Sequence, residues 1–300
     1  MANKTNIGWT DATWNPVTGC SKVSTGCKNC YAAANAPRLA KMGAKGYTEL
    51  PWTSANAAQN VKLHYDRVPQ PMHMKRGHRI FTCSMADLFH PEVSFDFLDK
   101  ILAVMALAPQ HTFQILTKRP QRMAAYLAGP RPENGPPTRA RVEMEMDLLS
   151  LEHYGVGQFL GQWPLANVWL GTSVEDQRAA NERIPHLLTT PAATRFISCE
   201  PLLGPVDLTN VPLRKDTALV PTGNCLFADL DGNWSIDWII AGGESGPDYR
   251  AMELDWARSL REQARAASVP FFFKQSSGPR PETGIHLDGQ IIRQFPDDPG

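Results

Sequence analysis

Seven short β-rich runs, most followed by a helical pattern, constrain this chain more than anything else in it. They are Trp14–Thr18, Arg79–Cys83, Thr112–Leu116, Val168–Gly171, Arg195–Ser198, Trp238–Ala241 and Pro270–Phe273. Runs of near-continuous apolar character, such as 113–116 and 238–241, suit strands covered on both faces. Strands alternating with helices imply a parallel sheet. Seven of them favour an α/β fold of the TIM type, a partial or full (β/α) barrel, over an open Rossmann sheet. The helices are readable too. Ser94 can cap a helix in which Phe97, Leu98, Ile101, Leu102 and Met105 follow a 3.6-residue period. Pro120 suits a first helical turn, and Leu254, Ala257, Leu260 and Arg261 open a helix that should end before Pro270.

At 300 residues the chain is long for one domain but fits a barrel with insertions. Three stretches read as insertions: 32–78, with a helix around Ala55–Tyr65; 129–166, with a charged helix near Arg139–Tyr154; and 204–236, where Asp231-Gly232 is a hairpin-turn signal. Asp288-Gly289 repeats that signal, so the expected division is a barrel over 1–275 and a hairpin tail over 276–300. The start of the chain lacks the apolar stretch of a signal peptide, and no run approaches membrane-spanning length. A cytoplasmic protein is expected, with reduced thiols and no membrane partner. Thirty basic and thirty acidic residues cancel, which excludes a chain that grips nucleic acid by overall charge.

Three of the six cysteines, Cys20, Cys27 and Cys30, fall within eleven residues just after the first predicted strand. Soft thiolates this close can bind a soft metal, and three hold an iron–sulfur cluster with one iron left open. Each later strand also ends in polar or small residues: Ser84 and Asp87; Lys118 and Arg119; Thr172, Ser173 and Glu175; Glu200; Gly242-Gly243-Glu244; Lys274 and Gln275. In a barrel those ends meet at one mouth, where active sites are built. Glu200, Glu244 and Lys118 are the candidate catalytic groups, and Arg119, Lys274 and Gln275 the candidate substrate contacts. Ser84, Asp87, Thr172, Ser173 and the backbone at Gly242 and Gly243 are candidates for holding a cofactor.

Each reading has a plainer counterpart. The cysteine loop can be a structural zinc site completed by His64, His73, His78 or His90. Cys83, Cys199 and Cys225 read as small buried hydrophobes. The Gly-Gly-Glu-Ser-Gly run of 242–246 can be a strand-to-helix turn. The basic groups Lys118, Arg119, Arg122 and Lys75–Arg79 can be solvated surface instead of anion sites. Trp9 and Trp14 can stack on a planar ligand or pack in the core.

The phrase Asn15-Pro16, Gly19-Cys20, Gly26-Cys27, Cys30-Tyr31-Ala32 resembles the radical S-adenosylmethionine (SAM) enzymes, and within them the spore-photoproduct-lyase-like branch. Their usual motif is Cys-x3-Cys-x2-Cys with an aromatic residue beside the last cysteine, the position of Tyr31; here six residues separate Cys20 from Cys27. Over nearly its whole length the chain is similar to a phage-associated three-cysteine family of uncharacterised proteins. The matching phrases are 8–10, the cysteine loop, 116–120, 170–175, 198–202, 242–246 and 273–275. The radical SAM resemblance implies a [4Fe–4S] cluster on Cys20, Cys27 and Cys30, with SAM on the open iron. It implies an external electron donor and a 5′-deoxyadenosyl radical that takes hydrogen from a substrate. The family's Gly-Gly-Glu-like motif follows its second strand, so its role is not carried to 242–244. Phage association and the lyase likeness imply a nucleobase in DNA, in isomerase or lyase chemistry on a hypermodified thymidine for example, or else a nucleoside. A zinc-stabilised nucleic-acid-binding or phage-interaction module without catalysis is the alternative.

Overall fold

All seven predicted strands occur, in sequence order, in one sheet. The computed structural model describes residues 3–128, 135–154, 161–215, 218–227 and 235–296. The strands are β1 (Ala12–Trp14), β2 (Arg79–Thr82), β3 (Thr112–Thr117), β4 (Val168–Ser173), β5 (Thr194–Cys199), β6 (Trp238–Gly242) and β7 (Phe271–Gln275). Neighbours are parallel throughout, and only the short Asn3–Lys4 strand joins β1 antiparallel. The sheet curls into a half-barrel, the partial form of the TIM type.

Helix α1 (Tyr31–Lys41) packs against Trp52, apart from the outer face of the sheet, which is covered by α2 (Phe95–Leu107), α3 (Pro120–Ala128), α4 (Thr138–Tyr154), α5 (Gln177–Leu188) and α6 (Leu254–Ala266). Ser94 caps α2 as its sequence predicts, accepting from the Phe97 amide at 3.3 Å. Among the described residues no helix is long and apolar enough to cross a membrane.

Alternation along the strands divides the core in two. Ile80, Phe113, Ile115, Leu170, Ile197, Ile239 and Phe273 pack outward with the helices. Phe81, Trp169, Phe196, Trp238, Ile240 and Phe272 pack with Trp9 as a separate, mostly aromatic cluster inside the curl. Each buried aromatic contributes about 1.5–3 kcal/mol. Trp9 and Trp14 are thus core residues, 2 % and 0 % exposed, and neither is free to stack on a ligand.

Two local expectations are corrected. The first strand ends at Trp14, because Pro16 has no N–H to continue a ladder; Val17–Thr18 then pairs with Lys62–Leu63 outside the main sheet. That pairing also limits the helix expected at 55–65. It is reduced to a 3₁₀ turn at Ser54–Asn56 and one α-turn at Ala57–Asn60. The Asp231-Gly232 signal lies outside the described residues, while 204–236 holds a hairpin of Val211–Lys215 with Ala218–Gly223. At the tail, Asp288 and Gly289 both take positive φ, 54° and 77°, and the Leu287 and Gln290 amides bond each other's carbonyls. The chain then runs back along β7, where the Phe273 amide donates to Ile292 and the Gln294 amide to Phe271.

Candidate functional site

Parallel strands in register bring their C-terminal ends to one rim, and the cysteine loop crosses it. All three loop thiols are free and half-buried, whereas Cys83, Cys199 and Cys225 are free and buried. Burial pushes those inner thiols up, which suits inert packing.

Three carboxylates under the loop organise the rim. Asp87 accepts four hydrogen bonds: from the Phe89 amide at 3.0 Å, Thr117 Oγ1 at 2.7 Å, the Lys118 amide at 3.1 Å and Arg119 Nη1 at 2.8 Å. The Arg119 guanidinium so held reaches Cys20 Sγ at 3.6 Å and the Ser21 carbonyl at 2.9 Å. Ser21 Oγ in turn meets His90 Nε2 at 2.8 Å. Burial, reinforced by the Asp87 carboxylate, pushes the Cys20 thiol up to about 12 against the pull of Arg119.

Glu175, 1 % exposed, lies next. Its Oε1 accepts from Ser24 Oγ at 2.9 Å and faces Lys118 Nζ at 3.1 Å, and its Oε2 accepts from Arg183 at 2.9 Å. Burial alone would raise its carboxyl, but Lys118, Arg183 and the hydrogen bonds outweigh burial and hold it below the usual range. Glu244 repeats the scheme on the far side. Arg250 holds it by backbone and side chain, and Asn29 Nδ2 donates to its Oε2 at 3.0 Å. It too is held below the usual range despite burial.

The remaining candidates divide by exposure. Glu200 and Lys274 form an ion pair of 2.6 Å, their side chains 20 % and 13 % exposed, beside Gly242. Ser84 exchanges a hydrogen bond of 3.2 Å with Asn15, and its carbonyl accepts from the Tyr31 hydroxyl. Thr172 Oγ1 donates to the Thr117 carbonyl, and Ser173 is buried with its carbonyl bound to Arg183. Gln275 is wholly buried, donating to the Gly243 carbonyl and accepting from the Glu282 amide, so its amide is not presented to the mouth. A Cβ on Gly243 would lie 2.2 Å from the Ser277 nitrogen, so that glycine answers backbone packing.

The anion-site reading of Lys118, Arg119 and Arg122 is corrected. Glu175 and Asp87 neutralise the first two, and Arg122 donates to the Val93 carbonyl beside the Phe95 ring. Lys75–Arg79 runs into the start of β2 and so lies at the end of the barrel away from the mouth. Sequence reasoning missed Ser24, Asn29, Arg183 and Arg250. Only Ser24 and Asn29, standing between the cysteines of the loop, carried any signal.

The thiols do not gather on one point. Among the described residues no group of three or more His, Cys, Asp or Glu side chains is placed to hold a metal ion. Cys20 meets Arg119, Cys27 lies 3.8 Å from Ser24 Oγ, and Cys30 stands at the N-cap position of α1 without a side-chain bond to the helix, while Cys20 and Cys30 both pack against the cluster of Ala32, Ala36 and Trp52. The histidines of the zinc reading are engaged elsewhere. His64 meets Thr18, His90 meets Ser21 and the Glu92 amide, and His78 stacks on His111. The donor set is therefore three free sulfurs on one loop with no histidine joined to them. Three cysteine thiols are the ligand chemistry of an iron–sulfur cluster, and in this structure they are not gathered around one point.

Fold and site together define a parallel half-barrel with a three-cysteine loop across its C-terminal rim. A family model described as Protein of unknown function (DUF5131) matches residues 4–296, and the chain belongs to that family. No curated protein matches it. Among solved structures, spore photoproduct lyase complexed with dinucleoside spore photoproduct is similar at 8 % identity and a TM-score of 0.39. The match covers 88 % of this chain and 64 % of that one, so the chain spans less than two thirds of that protein's length.

Proposed function

We propose that the chain is a radical SAM enzyme whose cluster is held by Cys20, Cys27 and Cys30. The observation that carries this reading is the loop itself: three free, half-buried thiols at the rim of a parallel half-barrel, while the other three are sealed in the core. A [4Fe–4S] cluster with SAM on its open iron supplies reductive cleavage of SAM and hydrogen abstraction, given an external electron donor. The protein's own residues bind and orient. Arg119 directs an N–H at the Cys20 sulfur, Tyr31 and Ser84 close one flank, and the Glu200–Lys274 pair is the charged couple left for substrate.

The substrate reading is a nucleobase, taken from DNA or as a nucleoside, in isomerase or lyase chemistry. The cations under the loop, Lys118, Arg119, Arg183, Arg250 and Lys274, are each paired with a carboxylate, which suits an uncharged base there better than a phosphate. A base within a duplex must then be flipped out to reach the rim.

Anaerobic reconstitution with iron and sulfide, followed by spectroscopy of the reduced protein with and without SAM, tests the reading. The expected result is a [4Fe–4S] signal that changes with SAM and formation of 5′-deoxyadenosine. A colourless protein with one tight zinc overturns it in favour of a zinc-stabilised binding module.

A further inference from the structure

We propose that Glu175 and Glu244 are positioning residues that string the cysteine loop between them. The proposal rests on the radical SAM reading only for what the loop carries. The two carboxylates follow β4 and β6, bond different residues of the loop, and are 1 % and 5 % exposed. Each is saturated by cations from the barrel side, Lys118 and Arg183 for Glu175 and Arg250 for Glu244. Each also accepts one hydrogen bond from the loop, from Ser24 Oγ at 2.9 Å and from Asn29 Nδ2 at 3.0 Å.

Cys27 lies between those two anchor points and Cys30 directly after the second. The first anchor is also steric. A Cβ on Gly26 would stand 2.3 Å from Glu175 Oε1, so the backbone rests against the carboxylate and only glycine fits. The second is doubled, because Asn29 Nδ2 also donates to the Asp248 carbonyl at 2.7 Å. A buried carboxylate with its cations supplied is a fixed, ionised acceptor, and charge-assisted bonds to it are stronger than neutral ones. The anchors thus hold the loop sulfurs at set places on the rim before any metal arrives.

The test uses Ser24→Ala and Asn29→Ala, alone and combined, since these cut the loop side and leave the ion pairs of both carboxylates intact. The first readout is the rate at which a disulfide reagent modifies the metal-free protein, with Cys83, Cys199 and Cys225 as an internal slow class. Loss of one anchor should speed the fast class a few-fold and loss of both about tenfold, the scale of one or two modest hydrogen bonds. The thermal midpoint should stay within a few degrees, and Ser24→Thr, which keeps the hydroxyl, should restore the slow rate. The second readout is iron per chain after reconstitution, expected to fall at least twofold in the double variant. Faster thiols in a protein whose wild type takes no iron support the anchors and sink the radical SAM reading. A double variant with wild-type thiol rates overturns the proposal, whatever the iron content.

Discussion

His64 sets a pH limit on the fold. Its Nε2 lies 2.8 Å from Thr18 Oγ1, and since that hydroxyl donates to the Gly46 carbonyl at 2.7 Å, the imidazole is the donor. The ring fills the space a side chain at Gly46 would need, with Cε1 2.3 Å from that Cβ position. Burial, then the Arg67 cation, lowers its pKa to about 4 from 6.5, with Asp66 opposing and Lys45 assisting. The folded value lies below the unfolded one, so the neutral ring's contribution is complete above pH 6.5. It is lost as pH falls towards 4, because only the unfolded chain gains the proton there. The loss should be at most about 3 kcal/mol. His90, lowered likewise to about 4, adds to it in the same window. Urea midpoints taken from pH 7 to 4 should therefore fall, and His64→Gln, which keeps a neutral donor, should remove roughly half of the fall. An unchanged pH slope in that variant would show that the ring already accepts a proton in the fold.

At the scale of elements, the strands and caps were legible because they are local. Near-continuous apolar character marks 113–116 and 238–241 as strands buried on both faces, and Ser94 announces α2 three residues before the amide it caps. What was illegible depends on partners far along the chain. Asp87 read as a ligand-binding group, and nothing in its neighbourhood shows that Thr117 and Arg119 will take its oxygens. Glu175 stood at a strand end like its fellows, while its partner Ser24 lies 151 residues away. The tail's return along β7 was equally hidden, because Ile291, Ile292 and Phe295 do not follow a strand period in residues 291–296. Phe295 makes that return matter. Its ring lies 5.3 Å from Trp238 and 5.5 Å from Phe272, and the Arg79 guanidinium sits 3.9 Å above it. Arg79 begins β2, so the ring closes the barrel end opposite the mouth. Phe295→Ala should cost about 2 kcal/mol, less than a fully buried ring because Phe295 is half-buried. Tryptophan emission should also shift red as Trp238 meets water. An unchanged midpoint and emission would mean that the tail is an ornament on the sheet edge.

Across the whole molecule, charge decides how a nucleic-acid substrate could be held. The chain is neutral, the cations under the loop are paired, and the basic run 75–79 lies at the far end of β2. The cysteine loop and α1, with the turn after it, carry an acid-free cationic stretch near the mouth. Residues 20–45 carry Lys22, Lys28, Arg38, Lys41 and Lys45 and no acid, and two of these, Lys41 and Lys45, face Glu49 and Asp66. Three exposed cations then remain for phosphates, and each neutralised phosphate contributes a salt slope of about 0.9. Binding to duplex DNA, followed by fluorescence anisotropy from 50 to 200 mM salt, should show a slope no steeper than about −3 and a Kd of about 10⁻⁴ M or weaker at physiological salt. Lys22→Glu with Lys28→Glu should flatten the slope by about two, while substitutions at the far run 75–79 leave it alone. The order of these two effects carries the argument, since it fixes which end of the barrel meets the substrate. A steep slope that vanishes on changing Lys75 and Arg76 would put DNA at the plugged end, away from the thiols, and leave the cysteine loop to a substrate that is not part of a duplex.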